Sequence, residues 1–253
     1  MQPMNHAIRI VLVETHHPGN IGSAARAMKT MGWRDLVLVA PHQPEHPDAL
    51  ALAAGADDVL RGARICATLE EALADCAFVA GCTARSRHVS LPGFEPRQAA
   101  ARLLDAARHG PVALLFGTER SGLSNQQLQR CHAAVHIPAN PEYGSLNLAA
   151  AVQVLCYELR LAQLAADTPQ MLAPAAGPHD PPASQAQMEA FFTHLDQSLH
   201  AIDFHKGRSP ETVMRRLRGL FLRAQPDQRE LRILRGILAD AQRMARLAGR
   251  QVE

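Results

Sequence analysis

Two side chains near the N-terminus have types and spacing that suit the binding of a polar group. Asn20 and Arg26 stand in the pattern N-x-G-x-x-x-R, directly after an apolar run. An Arg guanidinium holds phosphate oxygens through paired hydrogen bonds. The alternatives are structural: a lone Asn such as Asn20 more often caps a helix, and Arg26 can pair with a surface carboxylate.

A second candidate segment is Phe116–Ser124, with the sequence FGTERSGLS. Gly117 and Gly122 permit positive φ and allow a ligand to approach the main chain. Glu119 and Arg120 form a charged pair at the end of a buried strand. The alternative is a tight loop that carries a surface ion pair.

A third segment, Ile137–Leu148, reads IPANPEYGSLNL. Its two prolines stiffen the chain, Gly144 interrupts it, and Ser145 or Asn147 can cap the next helix. A rigid loop with Ser, Asn and Tyr beside a helix N-terminus suits a small polar ligand. A capped loop-to-helix junction with no ligand is the alternative.

The segment Gly81–Arg85 is a fourth loop at the end of a strand, and it carries small side chains. It fits an ordinary turn as well as a binding loop. The sequence contains neither G-x-G-x-x-G nor G-x-x-x-x-G-K-[ST], which disfavours a dehydrogenase or a P-loop NTPase. No metal site is expected. His16 and His17 fit solvated loop residues, and His194, His200 and His205 are too irregularly spaced for one helix face.

These loops must be positioned by alternating strands and helices. Apolar runs predict strands at 8–14, 36–40, 78–82, 111–116 and 134–137, and helical spacing predicts helices at 21–31, 49–54, 69–74, 96–108, 125–130 and 146–164. Alternation of this kind predicts an α/β fold, a parallel sheet with helices on both faces. Such sheets bind ligands beyond the carboxyl ends of their strands, where the candidate loops lie.

The composition changes after this region. The domain prediction is an α/β domain at 1–165, a Pro-rich linker at 166–184 and an appended helical module at 185–253, with helices at 187–200, 211–222 and 227–248. From Lys206 to Arg250 there are 12 Lys/Arg and 4 Asp/Glu, a net charge of +8. Charge alone is equally consistent with an RNA-binding surface and with solvated helix faces.

Global properties narrow the class of protein. The chain has 253 residues, of which 47% are hydrophobic, so it can form a substantial core. Only 4% are aromatic, which disfavours a sheet that binds single-stranded nucleic acid by stacking bases on aromatic side chains. Five scattered cysteines favour free thiols in a reducing compartment, and the cytoplasm is expected. Neither a signal peptide nor a membrane span is expected, because the longest apolar run, Asn147–Leu164, carries charged and amide side chains.

The three segments at Asn20–Arg26, Phe116–Ser124 and Ile137–Leu148, in this order and spacing, resemble the three motifs of the SPOUT superfamily of RNA methyltransferases, in its 2′-O-ribose branch. The similarity also includes the opening IRIVLVE, Arg85-Ser86-Arg87 and the run Ile233–Leu238 near the C-terminus. Within this branch, the sequence resembles enzymes that methylate a ribose in the anticodon loop of tRNA.

The resemblance implies a sheet whose C-terminal part forms a trefoil knot, a homodimer, S-adenosylmethionine as cofactor and tRNA as partner, with no metal and no membrane. It implies methylation of nucleotide 32, at C or U. Arg26, Ser145 and Asn20 would be catalytic, with Arg26 facing the cofactor of the other subunit. The residues implied at the cofactor are Cys82, Thr83, Ala84, Gly117, Glu119, Gly122, Ile137, Gly144, Ser145, Leu146 and Asn147.

The resemblance also implies an in-line transfer to a ribose hydroxyl. Because a guanidinium normally stays protonated, we expect Arg26 to hold phosphate and hydroxyl oxygen while phosphate or water takes the proton. Three alternatives stay open: methylation of another tRNA nucleotide or of rRNA, an inert RNA-binding protein on this fold, and a metabolic enzyme with a Rossmann-like sheet.

Overall fold

The chain folds into two compact units, Met1–Ala175 and Ala176–Glu253. The structure is a computed structural model that describes residues 7–84, 91–167, 180–207 and 209–249. Of the sequence features named above, Arg85-Ser86-Arg87 and most of the predicted linker lie outside the described residues.

The described part of the first unit contains seven strands and seven helices. The strands are β1 (Ile8–Val13), β2 (Leu36–Val39), β3 (Arg64–Cys66), β4 (Phe78–Cys82), β5 (Gly93–Phe94), β6 (Val112–Phe116) and β7 (Ala133–Val135). The helices are α1 (Pro18–Thr30), α2 (Pro47–Ala53), α3 (Asp57–Arg61), α4 (Leu69–Leu73), α5 (Pro96–Ala106), α6 (Asn125–Leu128) and α7 (Leu148–Asp167).

The strands form one parallel sheet in the order β3-β2-β1-β6-β4-β7-β5. The order is not that of the chain, because β6 inserts between β1 and β4. The register pairs Leu12 with Phe116, Gly81 with Leu115 and Cys82 with Val135. The carboxyl ends of β1, β6, β4 and β7 therefore stop at nearly the same level, so that the four loops that follow them emerge side by side.

A separate hydrophobic core covers each face of the sheet, which confirms the predicted fold class. Ile8, Ile10 and Leu12 of β1 pack on one face with residues of α1, α5 and α7. Val11 and Val13 of the same strand pack on the other face with residues of α4 and α6. Strands buried on both faces read as continuous apolar runs, which is why the sequence predicts the central strands well.

The two strands that sequence analysis missed lie at the edges of the sheet. β3 exposes Ile65 by 54%, and β5 has only two residues. Short, partly exposed edge strands do not produce a continuous apolar run, so periodicity cannot detect them. The predicted trefoil knot stays a prediction.

α7 is the one helix among the described residues that is long and apolar enough to cross a membrane by length and composition. Its buried side chains include Val152, Leu155, Cys156 and Leu159, which belong to the core shared with α1 and α5. Core packing therefore accounts for part of the apolar character of α7, whereas Tyr157, Leu161 and Leu164 of the same helix are exposed.

The described part of the second unit contains three helices: α8 (Gln185–Ala201), α9 (Pro210–Ala224) and α10 (Gln228–Gly249). Phe191, Phe192 and Phe221 form an aromatic cluster with centroid distances of 4.8–6.5 Å, within a core that also contains Met188 and Leu231. Arg218 donates two hydrogen bonds to Glu189 at 2.8 and 2.6 Å. The helical module thus has its own core, which its short and basic sequence did not suggest.

Candidate active site

A cavity of about 400 Å³ lies at the carboxyl edge of the sheet, where the loops after β4, β6 and β7 meet. This volume is within the range of small-molecule sites, roughly 300–1,000 Å³. Ten of the eleven residues predicted to contact a cofactor line it: Cys82, Thr83, Ala84, Gly117, Glu119, Gly122, Ile137, Gly144, Ser145 and Leu146. The eleventh, Asn147, is not among the lining residues.

Sequence reasoning missed several other lining residues. Thr118, Arg120 and Ser121 are neighbours of predicted residues, and Phe116, Pro141, Leu148 and Ala151 complete the wall. Their chemistry is ordinary, so only the shape of the loop and the start of α7 place them there.

The loop after β6 is a tight hairpin that only glycine permits at its base. The Gly122 N–H donates to the Thr118 carbonyl at 2.9 Å, and Gly122 has a φ of +67°. A Cβ on Gly117 would lie 2.1 Å from the Gly122 carbonyl carbon and 2.2 Å from the Leu123 nitrogen. Gly117 thus lets the two arms of the loop touch while its own backbone faces the cavity.

The Glu119 carboxylate points at the loop before α1 rather than at Arg120. It accepts hydrogen bonds from the His16 N–H at 3.2 Å, the His17 N–H at 3.0 Å and Asn20 Nδ2 at 2.9 Å. Burial opposes ionisation of this carboxyl group, but the hydrogen bonds from Asn20, His17 and His16 outweigh it and hold the pKa of Glu119 below its usual value. Glu119 is therefore ionised and holds the segment His16–Asn20 in place through these hydrogen bonds.

Asn20 connects Glu119 to the segment Ile137–Leu148. Its Oδ1 accepts from Asn147 Nδ2 at 3.0 Å, and Asn147 Oδ1 accepts from the Ala149 N–H at 2.9 Å at the start of α7. A carboxylate only accepts hydrogen bonds and a backbone N–H only donates them. The Glu119 carboxylate and the Ala149 N–H, at the two ends of this series of hydrogen bonds, therefore determine the orientations of the Asn20 and Asn147 side-chain amides. Glu119, Asn20 and Asn147 tie the three sequence motifs together.

The network decides between alternatives that the sequence left open. Asn20 is not a helix cap, because α1 has His17 at its N-cap and begins at Pro18. Asn147 is the residue that bonds the free N–H groups of α7, which leaves the Ser145 hydroxyl with no hydrogen-bond partner among the described residues. Ser145 is exposed on the cavity wall and is available to a ligand.

Arg26 lies outside this cavity. It is on α1, its side chain is exposed, and it is absent from the cavity wall. Within the described part of the chain, its guanidinium has neither an ion pair nor a side-chain hydrogen bond, so the surface ion pair considered from the sequence is not formed. This guanidinium is free to meet an anion supplied from outside the subunit.

Cys82, a second acidic group on the cavity wall, is inert as a nucleophile. Burial raises the pKa of Cys82 to about 12, and a thiol in this state is not ionised near neutral pH. All five cysteines are free, as the sequence predicts for a reducing compartment.

Comparisons with known proteins relate both units of the chain to methyltransferases. Residues 7–157 match the SpoU rRNA Methylase family, and residues 186–250 match the family described as tRNA methyltransferase TrmJ, C-terminal domain. A protein of Yersinia enterocolitica named tRNA (cytidine/uridine-2'-O-)-methyltransferase TrmJ is 51% identical over 241 residues, which is 95% of this chain and 93% of the relative.

Two solved structures show the same fold. The crystal structure of TrmJ from Z. mobilis ZM4 is 37% identical and has a TM-score of 0.78, covering 92% of this chain and 97% of that one. A structure described as giving insights into the 2-OH methylation of C/U34 on tRNA is 27% identical with a TM-score of 0.52, covering 64% of this chain and 99% of that one.

The motif resemblance is thereby confirmed. With the SpoU match spanning more than half of the residues and a 51% identical relative aligned over nearly the full length, this chain belongs to the SpoU methylase family.

Proposed function

We propose that this protein is an S-adenosylmethionine-dependent tRNA 2′-O-methyltransferase that methylates a C or U ribose in the anticodon loop, at nucleotide 32. The observation that carries the proposal is that the second and third motif loops line one cavity, and that the first motif is joined to them through Glu119, Asn20 and Asn147. The identity to relatives named for this reaction supports the substrate class.

The cavity fits a nucleoside methyl donor. Its wall combines apolar side chains such as Ile137, Leu146 and Leu148, which suit a planar base, with the polar loop 117–122. S-adenosylmethionine bound there would supply an electrophilic methyl group. The hairpin at Gly117 and the loop at 137–147 would hold the donor and keep water away from it.

The protein's own contribution to transfer is to position and stabilise charge. We assign Arg26 to the phosphate beside the target ribose and to the hydroxyl oxygen, where a guanidinium stabilises developing negative charge. Ser145 would orient that oxygen from the cavity side. Asn20, whose amide groups are both occupied, is a positioning residue rather than one that touches the substrate.

The cavity wall offers no good base among its described residues. The pKa of Glu119 is lowered by the N–H groups that surround it, and the thiol of Cys82 stays protonated. A carboxylate with a lowered pKa accepts a proton poorly at neutral pH. The hydroxyl proton therefore goes to the substrate's phosphate or to water.

The active form in this proposal is a cytoplasmic homodimer in which Arg26 of one subunit faces the donor held by the other. The exposed, unpaired guanidinium outside its own subunit's cavity supports this arrangement. The helical module, 185–253, would hold tRNA through its Arg-rich helices α9 and α10.

The test is a methyl-transfer assay with S-adenosylmethionine on tRNA transcripts that lack modifications. Each transcript carries one of the four bases at position 32, and matched transcripts vary position 34, the position named for the 27% identical structure. Mass spectrometry of nuclease fragments should locate the 2′-O-methyl group at nucleotide 32 with C or U.

Other outcomes would contradict specific parts of the proposal. Methylation at 34 or of rRNA alone would overturn the substrate. Binding of tRNA with no methyl transfer would favour the inert RNA-binding protein, and failure to bind S-adenosylmethionine would remove the proposed reaction.

A further inference from the structure

Three side chains with metal-ligating atoms meet at the C-terminal end of α8 in the second unit. Asp196, His200 and His205 each offer one ligand atom, and these atoms lie within 4.8 Å of one another. Asp196 Oδ1 is 3.6 Å from His200 Nδ1 and 3.9 Å from His205 Nε2. The group lies in a different unit from the cavity and plays no part in the proposed methyl transfer.

The backbone turn after α8 brings His205 into this group. Asp203 has a φ of +55°, and the Phe204 N–H donates back to the Leu199 carbonyl at 2.9 Å. This left-handed residue reverses the chain, so the His205 ring lies beside the His200 ring with a centroid distance of 4.6 Å and an interplanar angle of 57°. Spacing along a single helix could not reveal the cluster, because its third member lies beyond the end of the helix.

The His205 ring is buried without the partners that a buried imidazole requires. Its side chain is only 10% exposed, yet neither ring nitrogen has a hydrogen-bond partner within the described residues. Buried polar atoms in proteins are normally paired. The distance of 3.9 Å to Asp196 is too long for a hydrogen bond.

The surroundings of His200 also suit a ligand. Its Nδ1 is 2.9 Å from the Asp196 carbonyl oxygen, an atom that only accepts, so Nδ1 carries the proton and Nε2 keeps its lone pair. Metal-binding histidines commonly have one ring N–H held by a backbone carbonyl in this way.

We propose that Asp196, His200 and His205 bind a divalent transition-metal ion, with Zn²⁺ as the ion of reference. Two imidazoles and one carboxylate suit Zn²⁺ and its neighbours in the first transition row, whereas Mg²⁺ and Ca²⁺ prefer oxygen ligands alone. A tetrahedral Zn²⁺ needs ligand atoms roughly 3.3 Å apart, so the His200 ring must rotate to direct its Nε2 toward Asp196 and His205. Water fills the fourth position, and the ion fastens the turn at 202–207 to α8.

The test is calorimetric titration of Zn²⁺ into the full-length chain, freed of purification tags and treated with chelator. The wild-type protein should bind one ion more per chain than H200F or H205F, and its melting temperature should rise with Zn²⁺ while that of the variants does not. Co²⁺ should give the visible absorption of a tetrahedral site in the wild-type protein only.

Two further variants separate a ligand role from damage to the fold. D196N keeps the size of the side chain and should weaken Zn²⁺ binding at least tenfold. H109F, at an exposed histidine of the first unit, should bind like the wild type. Equal binding by wild type, H200F, H205F and D196N, or no binding by the wild type, would overturn the proposal.

Discussion

Asn20 shows how one amide can connect the separate loops of a candidate site. Its Nδ2 faces the Glu119 carboxylate and its Oδ1 faces the Asn147 amide, so its two ends have opposite hydrogen-bonding polarity. The orientation of Asn20 is therefore dictated by its neighbours, and a residue that can only accept hydrogen bonds cannot replace it.

Asn20→Asp should weaken both stability and methyl transfer. The new carboxyl group would face the ionised Glu119 and would lose a hydrogen bond in a partly buried position, at a cost of about 1–3 kcal/mol in the free energy of unfolding. Because the neighbouring charge raises the pKa of the new group, the difference from wild type should shrink as the pH falls toward 5. Urea denaturation at pH 7.5 and 5 measures this.

Asn125→Asp is the matched control, because Asn125 is exposed on the short helix α6. It should change the free energy of unfolding by less than about 0.5 kcal/mol. An Asn20→Asp protein that matches the wild type at both pH values would show that the network contributes nothing.

At the scale of elements, the hairpin after β6 depends on the close approach of its two arms. Gly117→Ala would force a Cβ to within 2.1 Å of the Gly122 backbone, so the loop must open. We expect the S-adenosylmethionine dissociation constant to rise by at least about tenfold, since the loop forms the cavity wall and a decrease of about 1.4 kcal/mol in binding free energy suffices for that change. Calorimetry provides the measurement.

Gly93→Ala provides the comparison for this variant, since a Cβ there meets nothing within 4 Å. It should bind the donor like the wild type. Equal affinities for all three proteins would mean that the hairpin does not shape the site.

The sheet also carries a buried histidine that links stability to pH. Burial and the nearby Arg102 lower the pKa of His132 to about 4, and its neutral Nδ1 accepts a hydrogen bond from the Val79 N–H. The ring is therefore neutral in the folded protein but ionises near pH 6.5 in the unfolded chain.

Stability from this group is complete above pH 6.5 and is lost as the pH falls from 6.5 to about 4, below which both states bind the proton. The loss approaches roughly 3 kcal/mol across that window, at about 1.4 kcal/mol per pH unit. Urea midpoints measured from pH 7.5 to 4.5 should follow this slope.

His132→Phe removes the titrating group and should be less stable at pH 7.5, because the Val79 N–H loses its acceptor. Its stability should nevertheless depend less on pH across the window. The lowered pKa values of Asp75 and Glu119 act at lower pH and in both proteins alike. Parallel curves for the two proteins would contradict the role of His132.

At the scale of the whole molecule, the proposal that Arg26 acts across a dimer can be tested by complementation. Arg26→Ala should bind S-adenosylmethionine but transfer no methyl group, and Gly117→Ala should keep Arg26 but bind the donor poorly. A mixed dimer contains one intact pocket that faces one intact Arg26. Purified mixed dimers should regain about half of the wild-type rate, from one working site of two.

The two parent variants, each purified as a homodimer, serve as controls: Arg26→Ala should be inactive, and Gly117→Ala should be nearly inactive at donor concentrations well below its raised dissociation constant. If mixed dimers also stay inactive while both variants fold, Arg26 acts within its own subunit. A protein that elutes as a monomer in light-scattering chromatography would contradict the dimer itself.

The Arg-rich helices of the second unit should contribute a salt-dependent part of tRNA affinity. Arg216, Arg235 and Arg246 are exposed on α9 and α10. Changing each to Gln should weaken tRNA binding and reduce the slope of log affinity against log salt by roughly 0.7–0.9 for each phosphate that is no longer neutralised. Filter binding at several salt concentrations measures both quantities.

Arg61→Gln, at an exposed position of the first unit, is the matched control and should leave the slope unchanged. Arg218 is not a suitable test position, because it is bonded to Glu189 and lies 4.4 Å from the Phe192 ring. An unchanged slope in the triple variant would show that the helical module does not hold tRNA through these residues.

The sequence by itself determined the elements and the contents of the site. Buried strands are continuous apolar runs, and the ordered motifs contain most of the residues that line the cavity, so local patterns were enough to predict both. The short edge strands β3 and β5 escaped prediction, because they carry no such run.

Only the tertiary structure decided what those residues do. β6 pairs with β1 although some 100 residues separate them. That pairing brings Glu119 to Asn20, so the Asn20 side chain bonds to another loop and does not cap a helix. The turn after α8 likewise returns His205 to His200. Contacts between distant segments depend on the packing of the whole unit, and that information is not present in any local pattern of residues.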